Sequence, residues 1–542
     1  MNNATQPDLS LVQKVSLELL KLVDSICREN EIKYSLIRGA LIGIKYHNGF
    51  LPSVPTLSVA IPYLDFQQFK KKFIESFGSS EHYSLLDADN CEQFEVLFVR
   101  LIKKSRISLP DDRKQDEKYY AYFLDIYPVY YAGNTKAEYA KAEKIMRKYL
   151  KTLKSVKYAP ETFRIKNALF RLKNAYYYKK KQPDDYLKLT EHVTKQTQPS
   201  KYVLIHSYSK VRGSVKLLET YTNVVQYNFN GVDTFIPANM ETWFNGFYSK
   251  RMLYDLHTIP PNQASLSGPE ILRRVQLVEL EMLVELDRIC RKHNIKYSLF
   301  AGTLLGAVRH KGFVPWDDDV DVVMLYDDYL KFIEIAKEEL DSDKYFIRTQ
   351  ETDKDMNLTF TQIKRNGTVF GRPGRDIYDT HKGVFIDIMP LFNGSRYGVL
   401  HKLQLSLSRH YRVATWAHMG AISERNPLLR FYYKTIAKPS NKVNYRKFIN
   451  YATMFKRECG RISHLCFGKR SPKNKAYGMK NIFDSLVEIE FEGYKLLAFE
   501  NNTDVLNYMY SPEYMKFPIL AFRYAKHLPG YIDLGQLYEF EN

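Results

Sequence analysis

Tyr297 to Tyr329 reads YSLFAGTLLGAVRHKGFVPWDDDVDVVMLYDDY. An apolar, strand-like run ends in Ala301-Gly302-Thr303, a short segment carries Arg309, His310 and Lys311, and Trp316 then introduces Asp317, Asp318, Asp319 and Asp321. Four carboxylates so close in sequence repel one another strongly in a folded chain, so a cation is expected among them. Asp319 and Asp321 flank Val320, and Val322 to Leu325 follow in the register of a strand entering a core. Residues i and i+2 of a strand share a face, which aims two carboxylates at one point. Hard divalent cations such as Mg²⁺ are held in this way, by one or two carboxylates and the phosphates of a substrate. Asp317 and Asp318 are expected to lie outside this pair or to face solvent. An EF-hand loop would need alternating ligands, a central Gly and a distant Glu, none of which this segment has.

Working outward from this stretch, the chain turns out to hold the same pattern twice. Ile26-Cys27-Arg28, Lys33-Tyr34-Ser35-Leu36, Gly39, Gly43, His47, Gly49-Phe50 and Pro52 recur, 263 residues on, as Ile289-Cys290-Arg291, Lys296-Tyr297-Ser298-Leu299, Gly302, Gly306, His310, Gly312-Phe313 and Pro315. At an offset of 262, Phe123 to Pro128 matches Phe385 to Pro390, and Phe229-Asn230-Gly231 matches Phe491-Glu492-Gly493. Two copies of one domain therefore fill the chain, residues 1–258 and 268–542, with 259–267 and its Pro260-Pro261 as linker. Each opens with an amphipathic helix, the second behind a Ser267-Gly268-Pro269-Glu270 capping box. A short strand, a Gly302-Thr303 turn, a helical segment, the acidic strand, a helix from Tyr329 to Leu340 and a buried strand from Phe385 to Met389 follow. This alternation indicates an α/β (α+β) domain, a small mixed sheet flanked by helices.

Both copies carry a basic, aromatic, helical insertion, Lys136 to Lys181 in the first and Arg396 to Lys447 in the second. The whole chain has 80 Lys+Arg against 61 Asp+Glu, a net +19. Such a balance favours anionic partners, and an insertion of this type suits a solvated face or contact with an anionic membrane surface. Five scattered cysteines make no disulfide framework or CxxC metal pair, which points to a reducing compartment. No signal peptide and no apolar run of membrane-spanning length is visible.

The copies differ where chemistry is expected. Opposite Asp317, Asp318, Asp319 and Asp321 the first has Val54, Pro55, Thr56 and Ser58; opposite Thr303 and Arg309 it has Ala40 and Tyr46. Only Asp125, opposite Asp387, survives. The second copy is therefore read as catalytic and the first as a degenerate relative. In the second, Asp319, Asp321 and Asp387 would bind one or two Mg²⁺, with Mn²⁺ as a substitute, and Asp387 would lie next to the nucleophile. Gly302 and Thr303 would let a phosphate approach, with Arg309, Lys311, Lys364 and Arg365 as its cationic contacts. His310 is assigned to packing because His47 shares its place, and His381 is left open.

The run Gly302 to Asp321, with Phe385-Ile386-Asp387-Ile388-Met389-Pro390-Leu391 and the closing Phe491-Glu492-Gly493 with Tyr508 to Pro518, resembles the signature of the LicD family, relatives of fukutin in the nucleotidyltransferase superfamily. Where an acidic residue commonly follows the third-Asp motif in that family, Phe392-Asn393 stands here. The resemblance implies two nucleotidyltransferase-like domains and a Mg²⁺-dependent transfer of phosphocholine, ribitol phosphate or glycerol phosphate. The donor would be CDP-activated, the acceptor a sugar hydroxyl of a cell-surface or lipid-linked glycan of the teichoic acid, capsule or lipopolysaccharide type. Nucleic acid is not an expected partner, and the place of work would be the cytoplasmic face of a bacterial plasma membrane. A nucleotidyltransferase that leaves the nucleotide on its acceptor, and a non-catalytic glycan-binding scaffold, are the alternatives.

Overall fold

The structure is a computed structural model. It describes residues 11–51, 56–87, 97–105, 121–157, 198–206, 216–247, 269–371, 379–395, 397–423, 427–455, 461–466, 476–477, 483, 485–510, 512, 514–515 and 531–538. The described residues gather into two compact units, one before Phe247 and one from Glu270 onward. The expected linker and the Ser267 end of the capping box lie outside the described residues.

The first unit runs α1 (Leu11–Glu29), β1 (Ser35–Leu36), α2 (Gly39–His47), β2 (Ser58–Pro62), α3 (Tyr63–Phe77), β3 (Tyr83–Leu86), β4 (Val99–Lys103), β5 (Tyr122–Tyr131), α4 (Lys136–Lys157), β6 (Val203–Leu204), β7 (Val224–Phe229), β8 (Val232–Pro237) and α5 (Met240–Phe247). Its main sheet has the order β1-β2-β5-β4-β3, with β6 added to β5. Val12, Val15, Leu19, Leu20, Val23 and Ile26 recur at helical spacing and bury one side of α1 in the core.

The second unit repeats the plan. It runs α6 (Pro269–Lys292), β9 (Ser298–Leu299), α7 (Ala301–His310), β10 (Asp321–Leu325), α8 (Tyr326–Glu339), β11 (Tyr345–Arg348), β12 (Thr361–Arg365), β13 (Val369–Gly371) and β14 (Phe385–Gly394). Four helices follow, α9 (Gly398–Thr415), α10 (Ala417–Ser423), α11 (Pro427–Ile436) and α12 (Asn441–Ala452), then β15 (Arg461–His464), β16 (Ala476–Tyr477), the hairpin β17 (Leu486–Phe491) and β18 (Tyr494–Phe499), α13 (Asn502–Met509) and β19 (Tyr531–Asp533). The sheet order is β11-β12-β14-β10-β9, with β15 on the far part of β14. This is a mixed α/β fold: β10 runs parallel to β14, while β12 and β9 pair antiparallel to their neighbours. Strand β14 is buried along nearly its whole length, so it reads as a continuous apolar run and not as an alternation.

Three details differ from the sequence reading. Gly302 and Thr303 are the first turn of helix α7 and not a separate turn, because Ala301 adopts a left-handed φ of 48° that redirects the chain straight out of β9. The third-Asp strand extends to Gly394, since β15 pairs with its far half and satisfies the backbone there. The second insertion is four helices, and of the first only α4 falls among the described residues.

Candidate active site

Strand β10 starts at Asp321 and places it directly opposite Asp387 of the parallel strand β14. The backbone fixes both: Asp387 N–H donates to the Val320 carbonyl at 2.8 Å, and Phe300 N–H donates to the Asp321 carbonyl at 3.0 Å. Thr303 contributes from below, its hydroxyl oxygen accepting from Asp321 N–H at 2.9 Å in a buried site. The position read as a phosphate hydroxyl thus braces the acidic strand.

Asp317, Asp318 and Asp319 form the tightest acidic group among the described residues, one oxygen from each lying within 4.8 Å of the others. Asp317 and Asp318 are 4% and 0% exposed, which corrects the expectation that they face solvent. Two contacts pull the segment inward. Gln276 of α6 donates through Nε2 to the Asp317 carbonyl at 2.9 Å. Gly302 leaves room for the Asp317 carboxylate, whose Oδ2 would stand 2.0 Å from a Cβ built there. Asp319, the half-buried member of this group, lies two residues ahead of β10 and so outside the strand expected to carry it.

On the other side of β14, Gln362 of β12 faces Asp387 and donates to its Oδ1 at 2.7 Å. Arg348 donates to Gln362 Oε1 at 3.0 Å and is itself paired with Asp353, and all of these side chains are buried. A neutral amide therefore orients Asp387, and the guanidinium behind that amide is paired with Asp353. Gln276, Arg348, Asp353 and Gln362 escaped the sequence reading. Gln362 could have been found there, because Arg100 stands at its place in the first copy.

The cationic candidates make contacts of their own. Arg309 donates to His310 Nε2 at 2.9 Å and to the Tyr514 carbonyl at 3.0 Å. Lys311 is exposed and lies 3.6 Å from Glu490. Lys364 is buried, donating to the Gly383 carbonyl at 3.2 Å beside the Phe385 ring. Arg365 pairs with Glu281 of α6 at 3.1 Å. His381 accepts from Gly383 N–H, bonds Asn366 and stacks on Phe346; burial pulls its pKa down to about 4, the signature of a neutral structural ring.

The hairpin tip closes this region. Glu492, at a left-handed φ of 52°, accepts from Arg273 on both oxygens at 3.1 and 2.7 Å and from Phe313 N–H at 3.0 Å. The pair is buried, so β17, α6 and the loop after α7 are held as one piece.

Residues 294–412 match the family described as LicD/FKTN/FKRP, nucleotidyltransferase domain. This segment contains every acid of the site. The likeness to this family thus falls within the second half of the chain. Among curated relatives, the "Lipopolysaccharide cholinephosphotransferase LicD" of Haemophilus influenzae is 52% identical over 64 residues, 12% of this chain and 24% of that protein. "Uncharacterized protein RT0683" of Rickettsia typhi is 32% identical over 89 residues, 16% of this chain and 29% of the other. The chain thus spans about a quarter of the length of the curated relatives it matches. A solved structure, "Crystal structure of the Megavirus polyadenylate synthase", overlaps with a TM-score of 0.14 and 9% identity over 83% of this chain and 71% of that one, too slight to bear on fold or function.

Proposed function

We propose that this chain is a divalent-cation-dependent phosphotransferase that moves phosphocholine or a polyol phosphate from a CDP-activated donor to a sugar hydroxyl of a cell-surface glycan, with CMP leaving. The observation that carries the reading is the close group of Asp317, Asp318 and Asp319, joined through Val320 to the strand that pairs Asp321 with Asp387, inside the segment that matches the LicD family model. A buried group of carboxylate oxygens with a glycine cradle for one of them fits a hard cation. Mg²⁺ or Mn²⁺ held by Asp319, Asp321 and Asp387, with Asp317 and Asp318 beside them, would neutralise phosphate oxygens and favour an ionised attacking hydroxyl. Gln362 holds Asp387 by one oxygen, and Thr303 holds the strand that presents Asp321.

The first half, residues 1–258, serves in this reading as a degenerate domain that supports the catalytic half (268–542) or docks its acceptor. Helix α11 favours work at an anionic bilayer, the inner face of the plasma membrane: Leu428 and Phe431 are 80% and 73% exposed beside Arg430 and Lys434. Among the described residues no helix is long and apolar enough to cross a membrane. The deciding experiment incubates the protein, and its Asp319→Ala variant, with Mg²⁺ and CDP-choline, CDP-ribitol or CDP-glycerol, with and without extracted glycan. Asp319-dependent release of CMP with a phosphodiester-linked substituent on the glycan is expected. Nucleotide left on the acceptor would mark a nucleotidyltransferase instead, and unchanged behaviour of the variant a non-catalytic scaffold.

A further inference from the structure

Helix α6 contributes one more acid to this region. Glu279 is 1% exposed, and its Oε2 has no hydrogen-bond partner among the described residues. It lies one turn beyond Gln276 on the same helix face, and Gln276 bonds the backbone of Asp317. Burial first, and then the charges of Asp319, Asp318, Asp317 and Asp387, push its pKa well up. A carboxyl in such a place is costly to keep: burial without partners and like charges on several sides both oppose it. The repeat supplies a natural control. At the equivalent place in the first unit stands Ser16, also buried, in the half whose sequence has Val54, Pro55 and Thr56 where the acids would be. Gln13 occupies the place of Gln276, so the helix face is retained while its acid is absent together with the aspartates.

We infer that Glu279 serves the divalent cation of the Asp317–Asp321 segment, as a helix-borne carboxylate that raises the affinity of the site. This rests on the reading of that segment as a cation site. The first unit has no use for it, which accounts for the serine there. Gln has the same shape without the charge, so Glu279→Gln separates the acid from its packing; Glu279→Ser copies the first unit and guards against a misplaced amide.

The test is Mn²⁺ binding to the full chain by isothermal titration calorimetry, with melting temperatures in EDTA and in saturating Mn²⁺. Both variants are expected to bind Mn²⁺ about 10- to 100-fold more weakly, the range found when groups supporting metal ligands are removed. Glu279→Gln is also expected to melt no lower than the wild type in EDTA and to gain less from Mn²⁺. Wild-type affinity in both variants overturns the assignment while leaving the cation site intact. A Glu279→Gln variant that melts lower in EDTA yet gains as much from Mn²⁺ as the wild type makes the residue structural and overturns it too. Failure of the wild type to bind Mn²⁺ removes the cation site itself, and this assignment with it.

Discussion

The two halves build the same rung and treat its charge in opposite ways. In the first, Ser58 faces Asp125 across parallel strands, as Asp321 faces Asp387 in the second. Asp125 N–H bonds the Leu57 carbonyl as Asp387 N–H bonds that of Val320. On the neighbouring strand, however, Arg100 faces Asp125 and grips both its oxygens, at 2.7 and 3.0 Å, where Gln362 offers Asp387 one amide hydrogen. The first half thus carries its own cation in covalent form. At the same place the second offers a neutral amide, which adds no charge of its own to the rung.

The largest expected effect comes from making the same change at both rungs. Asp387→Asn should lower phosphotransfer on the order of 10³-fold or more, since a group aimed at developing charge is lost, with little change in stability. Asp125→Asn should leave transfer intact while costing about 1–3 kcal/mol in urea unfolding, because it takes the counter-charge from the part-buried Arg100 guanidinium. Equal losses of activity from both variants would break the distinction between the halves.

Next comes Gln362→Arg, which writes the first half's solution into the second. It should weaken Mn²⁺ binding by about 10- to 100-fold without reducing stability, as read by calorimetry and thermal melts. Retained affinity would mean that the arginine finds another partner and that Asp387 does not serve the cation.

Gly302→Ala should follow, because a Cβ there meets the Asp317 carboxylate at 2.0 Å. Overpacking of this kind costs about 1–3 kcal/mol, and Mn²⁺ affinity should fall with it as Asp317 is displaced.

The smallest effect should be shared, since it belongs to the scaffold. Burial pulls His206 in the first half down to about 3 and His381 in the second to about 4. An unfolded histidine takes its proton near pH 6.5, which the folded one refuses, so stability present above that pH is lost as pH falls towards 4. Replacing either by Gln should flatten urea-unfolding profiles between pH 6 and 4; an unchanged slope would mean the ring is protonated in the folded state.

Much of this was legible in the letters. The repeat and the β10 and β14 strands with Asp321 and Asp387 follow from periodicity and spacing, whereas Asp319, expected on the strand with Asp321, lies ahead of it; the absence of Asp317, Asp318 and Asp319 equivalents from the first half separates chemistry from packing. What stayed hidden is tertiary. Nothing local tells that Asp317 and Asp318 turn inward, because Gln276 and Gly302 do that from two other helices. Nor does the sequence tell that Arg309 meets His310 and the Tyr514 carbonyl, or that Lys311 lies by Glu490. Gln362 and Glu279 look unremarkable alone; only against Arg100 and Ser16 does each become informative.

The grip of Glu492 on Arg273 and on Phe313 N–H has a consequence for how such a site can be inherited. The acidic loop is locked from behind by a residue about 175 positions downstream and a helix that begins before residue 294. Residues 294–412 cut out of the chain would keep every aspartate and lose Gln276, Glu279 and the latch. The part of the chain most easily matched to relatives is therefore not a transplantable module, and a recombination boundary drawn at its edges should yield an acidic loop that has nothing to hold it closed.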